Sequence, residues 1–229
     1  MKNFIFISLL LFLISCQKNG IIEEVDATGN VCFNTYKNGK LDGLSTCYYY
    51  NSKQKKSEST YIEGTRKDHK AWYEDGIKSE EINYLWRRER DDLTIMSHYT
   101  WHRTGEDNTV KIYENNGNIS LFSSYFKNGE LSMYRKYKNG KLDGEEFWCG
   151  WDYDANKRYI STRLYWKEGK KDSLQWQYDK YGRAEEVEKY FEGNIWVRIR
   201  YKYANKYDKK GTLVSKECWD IYGNKKECN

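Results

Sequence analysis

A glycine follows an aromatic residue within about four positions over and over in this chain, most often at steps of 11 to 13 residues. The clearest case is the string YKNGKLDG, which occurs letter for letter at 36–43 and at 137–144. An Asn-Gly pair between alternating apolar residues is a strong signal for a tight hairpin turn, because such turns need positive φ. One turn about every 12 residues leaves strands of about 5–8 residues. The pattern therefore predicts an all-β chain made of short antiparallel hairpins.

The residues that we expect at the recurring turns, which we call the signature residues, are all glycines or asparagines. Gly43 and Gly144 follow a turn rather than form it, and we expect a bulge or a close backbone approach there. The complete set is Asn38, Gly39, Gly43, Gly64, Gly76, Gly117, Gly129, Asn139, Gly140, Gly144, Gly169 and Gly182. In some places the next glycine comes only after about twice the usual step. There we expect turns that contain no glycine, at 50–54, 87–92 and 153–157.

Aromatic residues decide between order and disorder. A mean hydropathy of −1.00 with 32% charged residues is, by itself, typical of a disordered chain. Nine Trp, 22 Tyr and 8 Phe argue for a folded one, since each ring buries a large area. Abundant Tyr and Trp together with the absence of proline favour strands over helices.

The repeated string followed by an aromatic strand, Tyr-x-Asn-Gly-Lys-Leu-x-Gly, resembles the MORN repeat. It resembles this repeat in the bacterial variant described as the antitoxin component of a YwqK-type toxin–antitoxin pair. Weaker matches run from Tyr61 to Tyr73, Tyr125 to Tyr134 and Tyr165 to Tyr178. Because a single hairpin cannot bury its own face, neighbouring repeats must stack. We expect residues 30–229 to form an elongated antiparallel meander of MORN-type hairpins, as a single layer or an open twisted sheet.

The first sixteen residues, MKNFIFISLLLFLISC, have the pattern of an export signal. Lys2 supplies a positive start, and the apolar run 4–14 is too short to span a membrane but has the length of a signal-peptide core. The end resembles a bacterial lipobox, which implies that residues 1–15 are removed and that Cys16 is lipid-modified. The alternative is an ordinary signal peptide with an incidental cysteine.

Residues 16–29 are polar or small for the most part, and we expect a lipidated flexible tether. Gln17 after the lipid cysteine resembles lipoproteins sorted to an outer membrane. Gln17-Lys18 also resembles surface-export signals, but Asn19-Gly20 follow where acidic residues are expected. The predicted location is therefore the bacterial cell envelope, anchored to the membrane by lipid, with the periplasmic face of the outer membrane favoured over the cell surface.

Outside the cytoplasm, cysteines can form disulfides. A three-residue loop centred on Gly223 places Cys218 opposite Cys228, whereas a bulged turn makes the pair diagonal. A two-residue turn at 38–39 pairs Cys32 with residue 45, so Cys47 is offset and a Cys32–Cys47 bridge is less favoured. The odd cysteine, Cys149, is either a buried thiol or an intermolecular partner.

No residue pattern supports catalysis, a cofactor or a metal. His98 and His102 would lie about 13 Å apart on a strand, too far for one ion, and no C-x-x-C pair occurs. No nucleophile elbow or phosphate loop is present. The formal charge of +5 is spread among interspersed acids and bases, unlike the clustered cations of a nucleic-acid-binding protein. No small-molecule substrate is inferred.

Three functions compete. The first is a non-enzymatic scaffold in the cell envelope that binds another protein. The second, implied only by the resemblance, is a membrane-anchored antitoxin or immunity protein. The third is a glycan-binding protein whose rings stack on sugars, with candidate residues Trp101, Trp151, Trp166 and Trp196.

Overall fold

The computed structural model describes residues 17–87, 92–205 and 208–228. Within these ranges the chain forms nineteen β-strands of one sheet and no helix. The strands are β1 (Gly20–Val25), β2 (Val31–Lys37), β3 (Lys40–Tyr48), β4 (Lys55–Ile62), β5 (Thr65–Arg66), β6 (Asp68–Trp72), β7 (Lys78–Arg87), β8 (Asp92–Trp101), β9 (Asp107–Tyr113), β10 (Ile119–Tyr125), β11 (Leu131–Lys138), β12 (Lys141–Asp152), β13 (Lys157–Lys167), β14 (Lys170–Lys171), β15 (Ser173–Tyr178), β16 (Ala184–Phe191), β17 (Asn194–Lys202), β18 (Thr212–Trp219) and β19 (Lys225–Lys226).

Consecutive strands of the described chain pair antiparallel, except β5 with β6 and β14 with β15. The short strands β5 and β14 share their partners, β4 and β13, with the strands that follow them. In the described part of the chain, β1 and β19 pair with β2 and β18 and not with each other, so the sheet is open. The predicted all-β antiparallel meander is confirmed.

Tight turns carry the recurring glycines. All twelve signature residues have positive φ, from 51° at Asn38 to 117° at Gly43. Five turns have positive φ at both central residues, the geometry of a two-residue turn whose twist matches the flanking strands. These turns, which we call the turn column, are 38–39, 63–64, 139–140, 168–169 and 192–193.

Members of the turn column bond to the hairpin before them. The N–H of Gly64 donates to the carbonyl of Leu41 at 2.6 Å, and the N–H of Gly169 donates to that of Leu142 at 2.8 Å. Leu41 and Leu142 are the same position of the repeated string. The N–H of Gly193 likewise donates to Lys171 at 2.9 Å. The string thus provides both a turn and the acceptor for the following turn of the column.

The glycine at the end of the string sits in a bulge. Asn34 pairs with Ser45 and Tyr36 with Leu41, so Thr35 alone faces residues 42–44. A Cβ on Gly43 would lie 3.0 Å from Thr35 Cγ2, which is closer than an ordinary contact between carbon atoms, and the positive φ of this residue also favours glycine. The second copy of the string has the same irregularity between β11 and β12. The bulge and the close approach therefore occur together at this position.

The segment 16–29, for which a flexible tether is predicted, differs from that expectation in its centre. Residues 20–25 form β1, and the Glu24 carboxylate accepts hydrogen bonds from Asn34 Nδ2 at 2.6 Å and from the Tyr36 hydroxyl at 3.0 Å. The segment was expected to be flexible because its residues are mostly polar, but a strand at the edge of a single-layer sheet tolerates polar residues. Cys16 and the predicted signal peptide, 1–15, lie outside the described residues.

Within the described ranges, no second layer covers this sheet. Among the described residues the only buried hydrophobic one is Cys218, and no side chain is completely buried. Rings instead pack side by side on the same sheet face, as Tyr134 and its cross-strand partner Phe147 do at 5.2 Å between centroids. Stability therefore comes from contacts between neighbouring strands, as in other repeat arrays.

We predict that Gly43→Ala destabilises β2 and β3 more than Gly182→Ala destabilises its own hairpin. Both changes place a side chain at positive φ, which costs roughly 1–3 kcal/mol. Only Gly43 is also crowded by Thr35, since nothing lies within 4 Å of a Cβ on Gly182. Amide hydrogen exchange resolved by peptide measures the two local losses.

Thr35→Ser provides the test of cause, because it removes Cγ2 and keeps the hydroxyl that donates to the Leu44 carbonyl. It should restore about 1 kcal/mol in the Gly43→Ala background and nothing in the wild type. Equal losses at the two glycines, or no restoration, would contradict the crowding.

Candidate functional site

Four polar side chains from four neighbouring strands of the sheet meet on one face. Ser59 of β4, His69 of β6, Glu80 of β7 and His98 of β8 form what we call the histidine cluster. Ser59 Oγ lies 2.8 Å from His69 Nδ1, and the other ring nitrogen, Nε2, lies 3.5 Å from Glu80 Oε2. His98 Nε2 lies 2.8 Å from Glu80 Oε1. The Glu80 carboxylate therefore lies next to both imidazoles, those of His69 and His98.

The pairing register assembles the cluster. Residues 57 and 71 are paired, which puts Ser59 opposite His69, while Ala71 pairs with Glu80. Glu80 is thus diagonal to His69 on the same face, within reach of a long side chain. On its outer side the cluster continues to Ser45, which is paired with Ser59 and whose hydroxyl donates to Asn34 Oδ1 at 2.5 Å.

The order hydroxyl, imidazole, carboxylate is one that supports nucleophilic catalysis when the hydroxyl is accessible. Here Ser59 is only 5% exposed and lies within the sheet. Burial lowers the pKa of His69 below its ordinary value, and Arg66 acts in the same direction. A neutral His69 can accept a hydrogen bond from the Ser59 hydroxyl at Nδ1, and its Nε2 lies near the Glu80 carboxylate. The arrangement satisfies buried polar groups and holds four strands in register.

The two histidines that lie close in the sequence, His98 and His102, are not the pair that the fold brings together. His102 Nε2 lies 3.3 Å from the Tyr125 carbonyl and is not part of the cluster. The partner of His98 in the structure is Glu80, which lies 18 residues earlier in the chain. Counting hairpin registers back from His98 could have suggested the contact. The bulge between Asn83 and Tyr84 makes such counting unreliable.

Further along the same face, buried charges are paired. Glu146 is 2% exposed and accepts hydrogen bonds from Arg135 Nε at 2.8 Å and Trp148 Nε1 at 2.6 Å. The carboxylate of Glu188 lies 2.6 Å from Arg198 Nη2. A buried charge is tolerated when it is paired and hydrogen-bonded. These pairs account for the acids without assigning them a catalytic role.

Two disulfides join the cysteines that the sequence analysis considered. Cys218 and Cys228 are bridged with their Cα atoms 5.3 Å apart. Cys32 and Cys47 are bridged as well, at 4.0 Å. The predicted two-residue offset of Cys47 is wrong, because the bulge at Gly43 shifts the register and places Cys32 directly opposite Cys47. Cys149 is free and half-buried.

The tryptophans proposed to stack on sugars do not share a site. Trp101 stacks with Tyr99 on β8, Trp151 packs on Phe126, and Trp196 packs on Phe191. Trp166, on β13, belongs to another strand again. In the described ranges, no group of three His, Cys, Asp or Glu side chains is arranged to hold a metal ion. Nor does the described part of the chain contain a helix that is long and apolar enough to cross a membrane.

Comparisons with known proteins leave the family open. No family model matches the chain, and no curated protein matches its sequence. The pore of the Photorhabdus luminescens Tc holotoxin aligns over 87% of this chain and 13% of the toxin chain, with 13% identity and a TM-score of 0.21. A Bacteroides fragilis protein of unknown function aligns over 80% of this chain and 96% of its own length, with 10% identity and a TM-score of 0.16. Likenesses this weak say nothing about what the chain binds.

We predict that acid destabilises the sheet through His69. Its folded-state pKa is lowered, so the unfolded chain binds the proton more readily, and stability falls as the pH drops below about 6.5. One proton limits the slope to about 1.4 kcal/mol per pH unit. Urea midpoints between pH 7.5 and 5 measure it.

His69→Asn should flatten this slope. Ser59→Ala is the matched control, because it removes the hydrogen bond to His69 but leaves the imidazole in place. The control should lower stability at every pH and retain the slope. An unchanged slope in His69→Asn would assign the pH dependence to other groups.

We also predict that the Cys218–Cys228 bridge protects its own end of the sheet only. Replacing both cysteines by alanine should lower the free energy of opening of β18 by about 2–3 kcal/mol, the value for a loop of this length. Peptides from β2 and β3 should keep their protection, because they have no contact with β18. Hydrogen exchange measured by mass spectrometry tests both statements, and a loss across the entire sheet would contradict them.

Proposed function

We propose that this chain is a lipid-anchored lipoprotein of the bacterial cell envelope, whose MORN-like repeat sheet is a non-enzymatic scaffold that binds another protein. The observation that carries the proposal is the single layer. An ordinary domain covers its sheet with a second layer, whereas both faces of this one meet solvent. A surface of this kind is suited to extended contact with a partner.

Exposed apolar side chains occur along the array rather than in one pocket. They include Phe33 and Leu44 near the first hairpins, Phe191 in β16, and Leu213 and Val214 in β18, the last two being 56% and 59% exposed. Scattered apolar residues are common on any surface. On a sheet without a second layer they also provide separated anchor points, which is how repeat arrays bind long partners.

The end of the sheet formed by β18 and β19 offers a second way to bind a partner. β19 pairs with Cys218 and Trp219, so most of β18 has backbone groups on its outer side that no other described strand pairs with. An extended segment of a partner can add to such an edge through main-chain hydrogen bonds. The disulfide to Cys228 restricts this open stretch to the beginning of β18.

The non-enzymatic part of the proposal rests on accessibility. Ser59 and His69 are the described pair that most resembles a catalytic group, and Ser59 is buried. The acids Glu146 and Glu188 are bound by arginines. The anchoring part rests on the resemblance of residues 13–16 to a lipobox.

Crosslinking in living cells tests the proposal. The full-length lipidated protein is crosslinked mildly, purified and analysed by mass spectrometry beside Cys16→Ala, which cannot be lipidated at that position. We expect one dominant partner in the wild type, reduced in the variant. Deleting whole hairpin pairs should then weaken capture in steps.

Complete loss of capture through one point substitution far from the membrane would contradict a distributed scaffold. A captured toxin, with toxicity relieved when the two are co-expressed, would replace the scaffold by the immunity function. If wild type and Cys16→Ala fractionate identically, the lipid anchor is wrong whatever the partner.

A further inference from the structure

The first strand forms an open edge of the sheet. β1 pairs with β2 on one side over six residue pairs, from Gly20 opposite Tyr36 to Val25 opposite Val31, and no described strand pairs with its other side. The backbone groups on that outer side can therefore bind a further strand. The edge at the other end of the sheet is shorter, because β19 already pairs with the end of β18.

β1 also belongs to the most regular ladder of the sheet. Every other ladder of more than two residue pairs in the described ranges contains a bulge or a similar irregularity, whereas that of β1 with β2 has none. Bulges, prolines and charged residues, lysine above all, keep edge strands from pairing with other chains. Of these features β1, with the sequence GIIEEV, has only two acidic residues.

Contacts at both ends and in the middle hold β1 in place without a partner. Before the strand, the Lys18 carbonyl accepts the N–H of Gly39 at 2.9 Å. After the strand, Asp26 Oδ1 accepts the N–H of Asn30 at 3.0 Å. In between, the Glu24 carboxylate is bonded to side chains of β2. A pre-formed strand binds more favourably than one that must first be ordered.

The two faces of β1 differ in what they offer to an added strand. On one face Ile22 and Glu24 are half-buried. On the other face Ile21 is 73% exposed and Val25 is 64% exposed, with Glu23 between them. The Glu23 side chain makes no ion pair or hydrogen bond with any described residue. This face therefore presents a row of apolar, acidic and apolar side chains.

This row selects the chemistry of the added strand. A Lys or Arg directly across from Glu23 would complete a cross-strand ion pair, and apolar residues across from Ile21 and Val25 would bury apolar area. Because side chains alternate along a strand, the matching segment has apolar, basic and apolar residues at every second position.

A second copy of this chain fits the edge less well. In the antiparallel register that sets Ile21 opposite Val25 of the other copy, Glu23 faces Glu23 of that copy. Like charges directly opposite each other are destabilising. β1 contains no basic residue that could compensate. Charge complementarity therefore favours a different protein over a second copy.

We propose that β1 is the docking edge for a partner protein, which adds an extended segment of alternating apolar and basic residues to the sheet. That a partner exists rests on the proposed scaffold function. The place and the chemistry of its docking rest on β1.

Peptide binding to the full-length protein in detergent, measured by calorimetry, tests the docking edge. The probe is a seven-residue peptide with blocked ends that has threonine at the odd positions and valine, lysine and valine at the even ones. The first control peptide has glutamate instead of lysine. The second is N-methylated at positions 3 and 4, which removes a backbone donor from each side of the strand.

We expect the lysine peptide to bind at least about fivefold more tightly than either control peptide. Hydrogen exchange measured by mass spectrometry should show protection of β1 and no change in β18. Glu23→Lys should reverse the charge preference, so that the glutamate peptide binds more tightly than the lysine peptide. Glu185→Lys makes the same change on an exposed residue of β16 and should retain the original preference.

Equal binding of the three peptides, protection of β18 instead of β1, an unchanged preference in Glu23→Lys, or no binding up to about 10 mM would each overturn the proposal. Protection of β1 that rises with protein concentration in the absence of peptide would overturn it too, in favour of a second copy. If a partner is still captured in cells after such a result, the scaffold function remains and only its docking edge is wrong.

Discussion

A backbone hydrogen bond from one tight turn to the hairpin before it is the interaction on which the array depends. Gly64 and Gly169 donate to Leu41 and Leu142, at the same position of two identical strings. In the second copy, Asp143 Oδ2 also accepts the N–H of Glu168 in the following turn, at 3.1 Å. Each turn therefore positions a later one. This accounts for the exact repetition of YKNGKLDG at two of these turns.

Without a second layer among its described residues, the sheet lacks the apolar core on which most domains rely. Cross-strand contacts replace it, with rings packed on rings and buried carboxylates held by arginine, as in Glu146–Arg135 and Glu188–Arg198. The ends of such an array are its weakest places, since a terminal strand has one neighbour instead of two. The disulfides lie in these places, in the second hairpin from the start and in the last one. They limit fraying where the sheet itself cannot.

The features that could be predicted from the sequence are those that depend on a few neighbouring residues. Positive φ at Asn-Gly pairs is a property of two residues, so the turns and the meander could be read directly. Register is not local, because one bulge moves every later partner. The bulge at Gly43 reversed the expectation for Cys32 and Cys47, and similar irregularities concealed the contact of Glu80 with His69 and His98.

The central claim is that these strands form one open layer, and small-angle X-ray scattering of a soluble variant beginning at Gln17 tests it most directly. Neighbouring strands lie about 4.8 Å apart. Because β5 and β6 both lie beside β4, and β14 and β15 both lie beside β13, the nineteen strands occupy seventeen positions, and an open sheet of this kind is about 77 Å long. A compact domain of the same length has a radius of gyration of about 17 Å. The account predicts a value above about 20 Å with an elongated distance distribution. A value near 17 Å would mean that the sheet folds back on itself and that a hidden core, rather than neighbouring strands, holds it together.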